Sequence, residues 1–154
     1  MVFIIIEGIE VIMQNELALF RKKFQIDDLT LVENDHWVLS IRPQQLTLGS
    51  MVLSVKHEVY DFSSLSEDQS LHMAELLGVA EKLVKTRWGA VRLNVLCLMM
   101  QDPLLHFHIF PRYDRTVEFA GREWKDADWP KPPSVVPTDI LADVNAAIYR
   151  ELVQ

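Results

Sequence analysis

Cysteine is almost missing from this chain: Cys97 stands alone among 154 residues. That excludes an internal disulfide, and a lone thiol in an apolar stretch reads as core packing. Long apolar runs are missing too. Nothing approaches the ~20 consecutive apolar residues of a membrane span. The opening Met1–Ile6 run has no basic residues ahead of it and is interrupted by Glu7 and Glu10, which reads against a secretory leader and for a cytoplasmic protein. Positive charge is in deficit. Fifteen Lys and Arg against 22 Asp and Glu give a net charge of −7 and a pI near 5.2. Such a chain has no overall attraction for nucleic acid or an anionic membrane, although it can bind a small anion locally. No internal repeat and no low-complexity tract is present.

What is present is apolar and patterned. Hydrophobic residues make up 49% of the chain, enough for one domain, 1–154, with its own core. Residues 1–12 read as an extension used in assembly, an extra strand or a matter of start-site choice, because Met13 begins a more ordinary N-terminus. Residues 15–24 predict a short amphipathic helix with Leu17, Phe20 and Phe24 on one side. Residues 29–33 and 36–41 predict two strands broken at Glu33-Asn34-Asp35, and 51–56 a third. Ser66 and Gln69 form a capping box. The stripe Met73, Leu76, Leu77, Ala80, Leu83, Val84 and Trp88 then predicts a long helix that stops at Gly89. An apolar strand from Val91 to Met100, a tight turn at Gln101-Asp102-Pro103 and a strand from Leu104 predict a central antiparallel hairpin. Residues 113–137, with Trp124, Trp129 and four prolines, read as an irregular tail. Residues 138–153 return to helix, with Ile140, Leu141, Val144, Ala147, Ile148 and Leu152 in a stripe. The fold class is α+β: an antiparallel sheet, one long helix packed on it, and flanking N- and C-terminal helices.

The strand from Leu104 to Arg112 carries the chemistry. Residues two apart on a strand share a face. Leu105, Phe107 and Ile109 make an apolar core face, and Leu104, His106, His108 and Phe110 make the other. The two imidazoles stand about 7 Å apart at roughly 3.3 Å per residue. Imidazole near neutral pH is a nucleophile, a proton carrier or a metal ligand. Asn94 on the partner strand and Arg112 at the strand end are candidate ligand contacts beside the pair, or they are satisfied sheet and surface residues. His57 and His72 read as surface residues and His36 as a strand start. Trp124 and Trp129 read as packing residues by default, with covering a pocket or packing between two copies as the alternatives.

The frame Leu104-x-His106-x-His108-Ile109-Phe110-Pro111-Arg112, on the second strand of a hairpin that follows a long helix, resembles the histidine triad family. The likeness covers roughly residues 29–112. The resemblance implies a nucleotide hydrolase or nucleotidyl transferase acting at the α-phosphate of a dinucleoside polyphosphate or nucleoside phosphoramidate, with no metal and no cofactor. It assigns His106 as the nucleophile that forms a nucleotidyl-histidine, and His108 as a donor to a phosphate oxygen. It further implies a homodimer whose sheets join edge to edge, which would cover an open strand edge.

The chain departs from the family pattern in several places. Leu104 stands where the first histidine of the triad belongs, and leucine can neither hydrogen-bond nor relay a proton through its side chain. The loop between the hairpin strands offers Gln101-Asp102-Pro103 rather than a Gly-Gln phosphate loop. Arg42, a cation, is the nearest match to an acidic residue that binds ribose. Ser50 aligns with an upstream histidine and could still donate one hydrogen bond to substrate. These departures favour a second reading, a nucleotide-binding protein with little or no turnover that serves as a sensor or interaction module. A metal site on His106 and His108 is a third, but no Cys or acidic residue lies at ligand spacing beside the pair.

Overall fold

Asn15 caps the first helix, its side chain accepting from the Ala18 N–H. A computed structural model describes residues 3–6, 9–12, 15–138 and 140–154. The expectation of an N-terminal extension falls on residues 1–12, of which 1, 2, 7 and 8 lie outside the described residues. The others form two antiparallel strands, β1 (Phe3–Ile6) and β2 (Ile9–Ile12). Helix α1 spans Glu16–Lys23, and a single turn, α2 (Ile26–Leu29), follows it through Gln25 in the left-handed region.

Five antiparallel strands build the main sheet, in the order β3-β4-β5-β7-β6. These are β3 (Thr30–Glu33), β4 (Trp37–Ile41), β5 (Met51–Val55), β6 (Arg92–Leu96) and β7 (His106–Arg112). The long helix α3 (Glu67–Trp88) lies between β5 and β6 in the chain. Its Ser66–Gln69 capping box is fully formed, and Gly89 closes it at φ 68°, a conformation a side chain would resist. Leu76, Ala80, Val84 and Trp88 are the buried members of its stripe.

The register gives each sheet face its character. Trp37, Leu39, Ile41, Met51, Leu53, Val55, Phe107 and Ile109 pair across the strands and share one face, and all are buried. This is the α3 side: the Trp37 indole N–H donates to the Gln69 carbonyl at 2.8 Å. The other face carries Val38, Ser40, Val52, Ser54, His106 and His108. Phe20 and Phe24 of the N-terminal helical segment cover it.

Four expectations are corrected. The strand at Val91–Met100 ends at Leu96, and its hairpin partner begins at His106, so a nine-residue connection replaces the tight turn. Leu98 and Met100 are exposed, which is why their apolar character misleads as a strand signal. The hairpin is also not central, because β6 is an edge strand. Next, the segment 113–137 is not wholly irregular. It contains a hairpin, β8 (Val117–Phe119) and β9 (Arg122–Trp124), turned through Ala120 and Gly121, both at positive φ. Last, the C-terminal helix, α4 (Ala142–Leu152), starts later than residue 138. Leu141 is its exposed N-cap residue rather than part of the buried stripe of Val144, Ile148 and Leu152.

No helix among the described residues is long and apolar enough to cross a membrane.

Candidate functional site

Alternation along β7 places His106 and His108 side by side beneath α1. Their rings are nearly perpendicular, at 85°, with centroids 5.0 Å apart. Phe20 meets His106 edge-on at 4.9 Å, and Phe24 lies 6.0 Å from His106 and 5.8 Å from His108. The Phe110 ring stacks on His108 from the far side.

The protonation states follow from the partners. His106 Nδ1 donates to the Leu104 carbonyl at 2.6 Å. A carbonyl can only accept, so the proton sits on Nδ1 and Nε2 keeps its lone pair. Nε2 is buried with no hydrogen-bond partner, and His106 is 0% exposed. Burial pushes its pKa down, and the Leu104 carbonyl offsets part of that. Position 104 therefore contributes through its backbone: the carbonyl that fixes the His106 tautomer is one any residue would supply. His108 accepts from Arg42 Nε at 3.4 Å through its own Nδ1, which leaves the proton of the neutral ring on Nε2. Burial first, then the charges of His106 and Arg42, lower its pKa from 6.5 to about 4.

That shift has a sign. The folded chain holds His108 neutral while the unfolded chain protonates it below about pH 6.5, so the unfolded state binds more protons between pH 6.5 and 4. Stability contributed by this group is full above pH 6.5 and is lost as the pH falls toward 4, by about 3 kcal/mol in all. Urea unfolding of wild type and His108→Gln at pH 7, 5.5 and 4.5 should show a shallower acid loss in the variant. Parallel slopes would mean that His108 titrates normally.

His108 reaches solvent where His106 does not. It lines a cleft of about 660 Å³ together with Lys23, Phe24, Arg42, Gln44, Asp102 and Val135. Arg42 lies over the Phe110 ring at 5.6 Å, and its Nη1 donates to the Gln44 carbonyl. The Lys23 ammonium is 2.6 and 2.8 Å from the two Asp102 carboxylate oxygens. The cleft thus sets two cations and a neutral donor imidazole against one carboxylate, in a chain of net charge −7.

Other residues singled out in the sequence lie elsewhere or are already engaged. The Ser50 hydroxyl donates to the Thr47 carbonyl at 2.7 Å and accepts from the Thr47 N–H, and the residue is 0% exposed. It organises its own loop and offers no donor to the cleft. The Arg112 side chain is 3% exposed. Its Nε and Nη2 bind Asp126 at 2.6 and 3.0 Å, Nη2 also reaches the Lys131 carbonyl at 2.8 Å, and Nη1 donates to Asn94 Oδ1. Arg112 and Asn94 thereby anchor the segment after β7 instead of facing the cleft. Trp124 packs in the core and donates to the Phe119 carbonyl, while Trp129 lies beside the Arg112 guanidinium. Burial pushes the Cys97 thiol up, as suits a packing residue. Sequence reading missed the roles of Lys23, Phe24, Gln44 and Val135, because nothing local marks a residue that meets its neighbours only in the fold. Arg42 was visible only as a mismatch.

No family model matches the chain, and neither does any curated protein. Solved structures do. A hypothetical histidine triad nucleotide-binding protein from Sulfolobus tokodaii strain7 aligns with a TM-score of 0.64 at 12% identity, over 90% of this chain and 88% of its own. This chain has a histidine-triad-like fold. A histidine triad protein from Sinorhizobium meliloti 1021 matches with a TM-score of 0.64 at 15% identity, covering 85% and 91%. One from Marinobacter aquaeolei VT8 matches with a TM-score of 0.61 at 19% identity, covering 85% and 90%. At these identities the likeness is one of fold.

Proposed function

We propose that the chain binds the phosphate end of a nucleotide in the cleft walled by His108, Arg42 and Lys23, and turns it over slowly or not at all while α1 is seated on His106. One contrast carries this reading: His108 faces the cationic cleft, whereas His106 is sealed beneath Phe20 and Phe24. A neutral imidazole N–H and a guanidinium are apt partners for phosphate oxygens, and the cleft volume suits a small-molecule ligand. The Sulfolobus protein of the same fold carries the words nucleotide-binding in its description, which supports the ligand class.

A second reading, hydrolysis or nucleotidyl transfer, is favoured by the unpartnered Nε2 of His106. In that reaction Nε2 attacks the α-phosphorus and the bond from phosphorus to the leaving group breaks. The leaving group departs with its electron pair and takes up a proton. Water then cleaves the P–N bond, restoring the imidazole and releasing the nucleotide. Phe20 and Phe24 must swing aside for the first step.

Intact-protein mass spectrometry separates the two. Wild type and His106→Ala are incubated with an adenosine 5′-phosphoramidate and with a dinucleoside polyphosphate, without an acid quench, and thermal shifts are read in parallel. Nucleotide-induced stabilisation of both proteins, with no adduct and no product, is the expected result. A nucleotidyl mass on wild type alone would establish the covalent route. Neither stabilisation nor adduct would remove nucleotides as the ligand class.

A homodimer belongs to the same proposal. β6 is an unpaired edge on which Val95 is exposed, and a second copy adding its own β6 would complete the ladder. Light scattering after gel filtration should give the mass of two chains, and a monomer mass at tens of micromolar would refute the pairing.

A further inference from the structure

The turn between β3 and β4 and the first turns of α3 are distant in sequence, and the fold clasps them together. Asn34 Oδ1 accepts from the backbone N–H groups of His36 at 3.2 Å and Trp37 at 3.0 Å, while Nδ2 donates to the His72 carbonyl at 3.0 Å. The Trp37 indole bond to the Gln69 carbonyl and the Ser66–Gln69 capping box fix the helix start against that turn. Asp68 and His72, four residues apart, share a helix face.

Three side chains converge there. One ligand-type atom from each of His36, Asp68 and His72 lies within 4.8 Å of the other two. His36 Nε2 is 2.7 Å, and His72 Nε2 3.9 Å, from the Asp68 carboxylate oxygens, and the two rings are 5.1 Å apart. It is the one such cluster among the described residues. The turn is already held by Asn34 and Trp37, so the histidines are not needed as fasteners. Here the Nδ1 atoms of His36 and His72 are buried without partners.

We propose that His36, Asp68 and His72 form a site for a divalent transition-metal ion of the zinc class. Two neutral imidazoles and one carboxylate are the donor set of an open zinc site, with water in the remaining position. Imidazole donors select zinc, copper or nickel over magnesium and calcium. Ligand bonds of about 2.0–2.1 Å place tetrahedral donors roughly 3.3–3.4 Å apart. The two histidines contact different oxygens of Asp68, and the three donors, now within 4.8 Å of one another, must close to that spacing when the ion binds. Glu75, whose carboxylate accepts from Asn34 Nδ2 at 3.1 Å, adds negative charge beside the donors. The site belongs to the α3 side of the sheet, away from His106 and His108, so it stands or falls independently of the nucleotide reading.

The test is isothermal titration of the full chain with zinc chloride, and separately with magnesium chloride, at pH 7.5. Wild type should bind one zinc per chain and ignore magnesium. His36→Gln and His72→Gln should each weaken zinc binding by at least about 10–100-fold, the size of effect that loss of even an outer partner produces. The double variant His106→Ala/His108→Ala should bind zinc as wild type does. Zinc should raise the unfolding temperature of wild type and not that of His72→Gln. If His36→Gln fails to fold, Asp68→Asn on the exposed helix start replaces it. Unchanged zinc binding in His72→Gln, loss of binding in the His106/His108 double variant, equal binding of magnesium, or no zinc binding at all would each overturn the assignment.

Discussion

Arg112→Ala should cost about 3–5 kcal/mol of folding stability, the largest effect expected of a single substitution here. The substitution leaves the Asp126 side chain, 2% exposed, without its bidentate partner, and only the Tyr113 N–H at 3.2 Å would still donate to it. Asn94 Oδ1 and the Lys131 carbonyl would lose their donor as well. A buried, unpaired carboxylate is far more costly than the pair is beneficial, so the cost reflects desolvation rather than a strong bond. The double variant Arg112→Met/Asp126→Leu should therefore recover most of the loss. Urea unfolding of the three proteins checks both statements. At roughly 2–4 °C per kcal/mol for a chain of this size, the single variant should melt at least about 6 °C lower. A loss under about 1 kcal/mol would show that water reaches the pair.

Arg42→Ala should weaken the binding of a nucleoside diphosphate by about 10–150-fold. A hydrogen bond to a charged group contributes about 1.5–3 kcal/mol, and 1.4 kcal/mol is a tenfold change in Kd. The opposite sign is expected for Asp102→Asn. Its carboxylate lines the cleft and occupies the Lys23 ammonium, so removing the charge both relieves repulsion and frees a cation for the phosphate. Titration calorimetry at fixed ionic strength measures both, since such contacts are screened by salt. Equal affinities in wild type and Arg42→Ala would place the ligand elsewhere.

Local signals in the sequence led far, and they failed where contacts are long-range. The capping box, the stripe of α3 and the Gly89 stop are each set by residues within a few positions of one another, and all three stand as read. Alternation from Leu104 to Phe110 likewise separates the core face from the histidine face. Cys97 to Met100 misled because apolar residues on an exposed connection look the same as those in a strand. Ser50 illustrates a different failure: alignment to a family position carries no information on whether a hydroxyl points outward. That Phe24 would cover His106, and that Arg112 would find Asp126, depends on packing between elements that no periodicity encodes. His36 read as a strand start and His72 as a surface residue for the same reason, since the Asn34 clasp that joins them spans 38 residues.

The cleft draws its walls from five stretches of chain, and the last of them is at Val135. Val135 belongs to the prolyl segment after β9, and that segment is tied down at Asp126 and Lys131 by Arg112 and at Thr138 by the Gln44 side chain. A protease that nicked the exposed stretch around Val136 would leave every strand of the sheet intact and still dismantle one side of the pocket. Recognition and foldedness are thus separable in this molecule: a cut chain could keep its circular dichroism and lose its ligand.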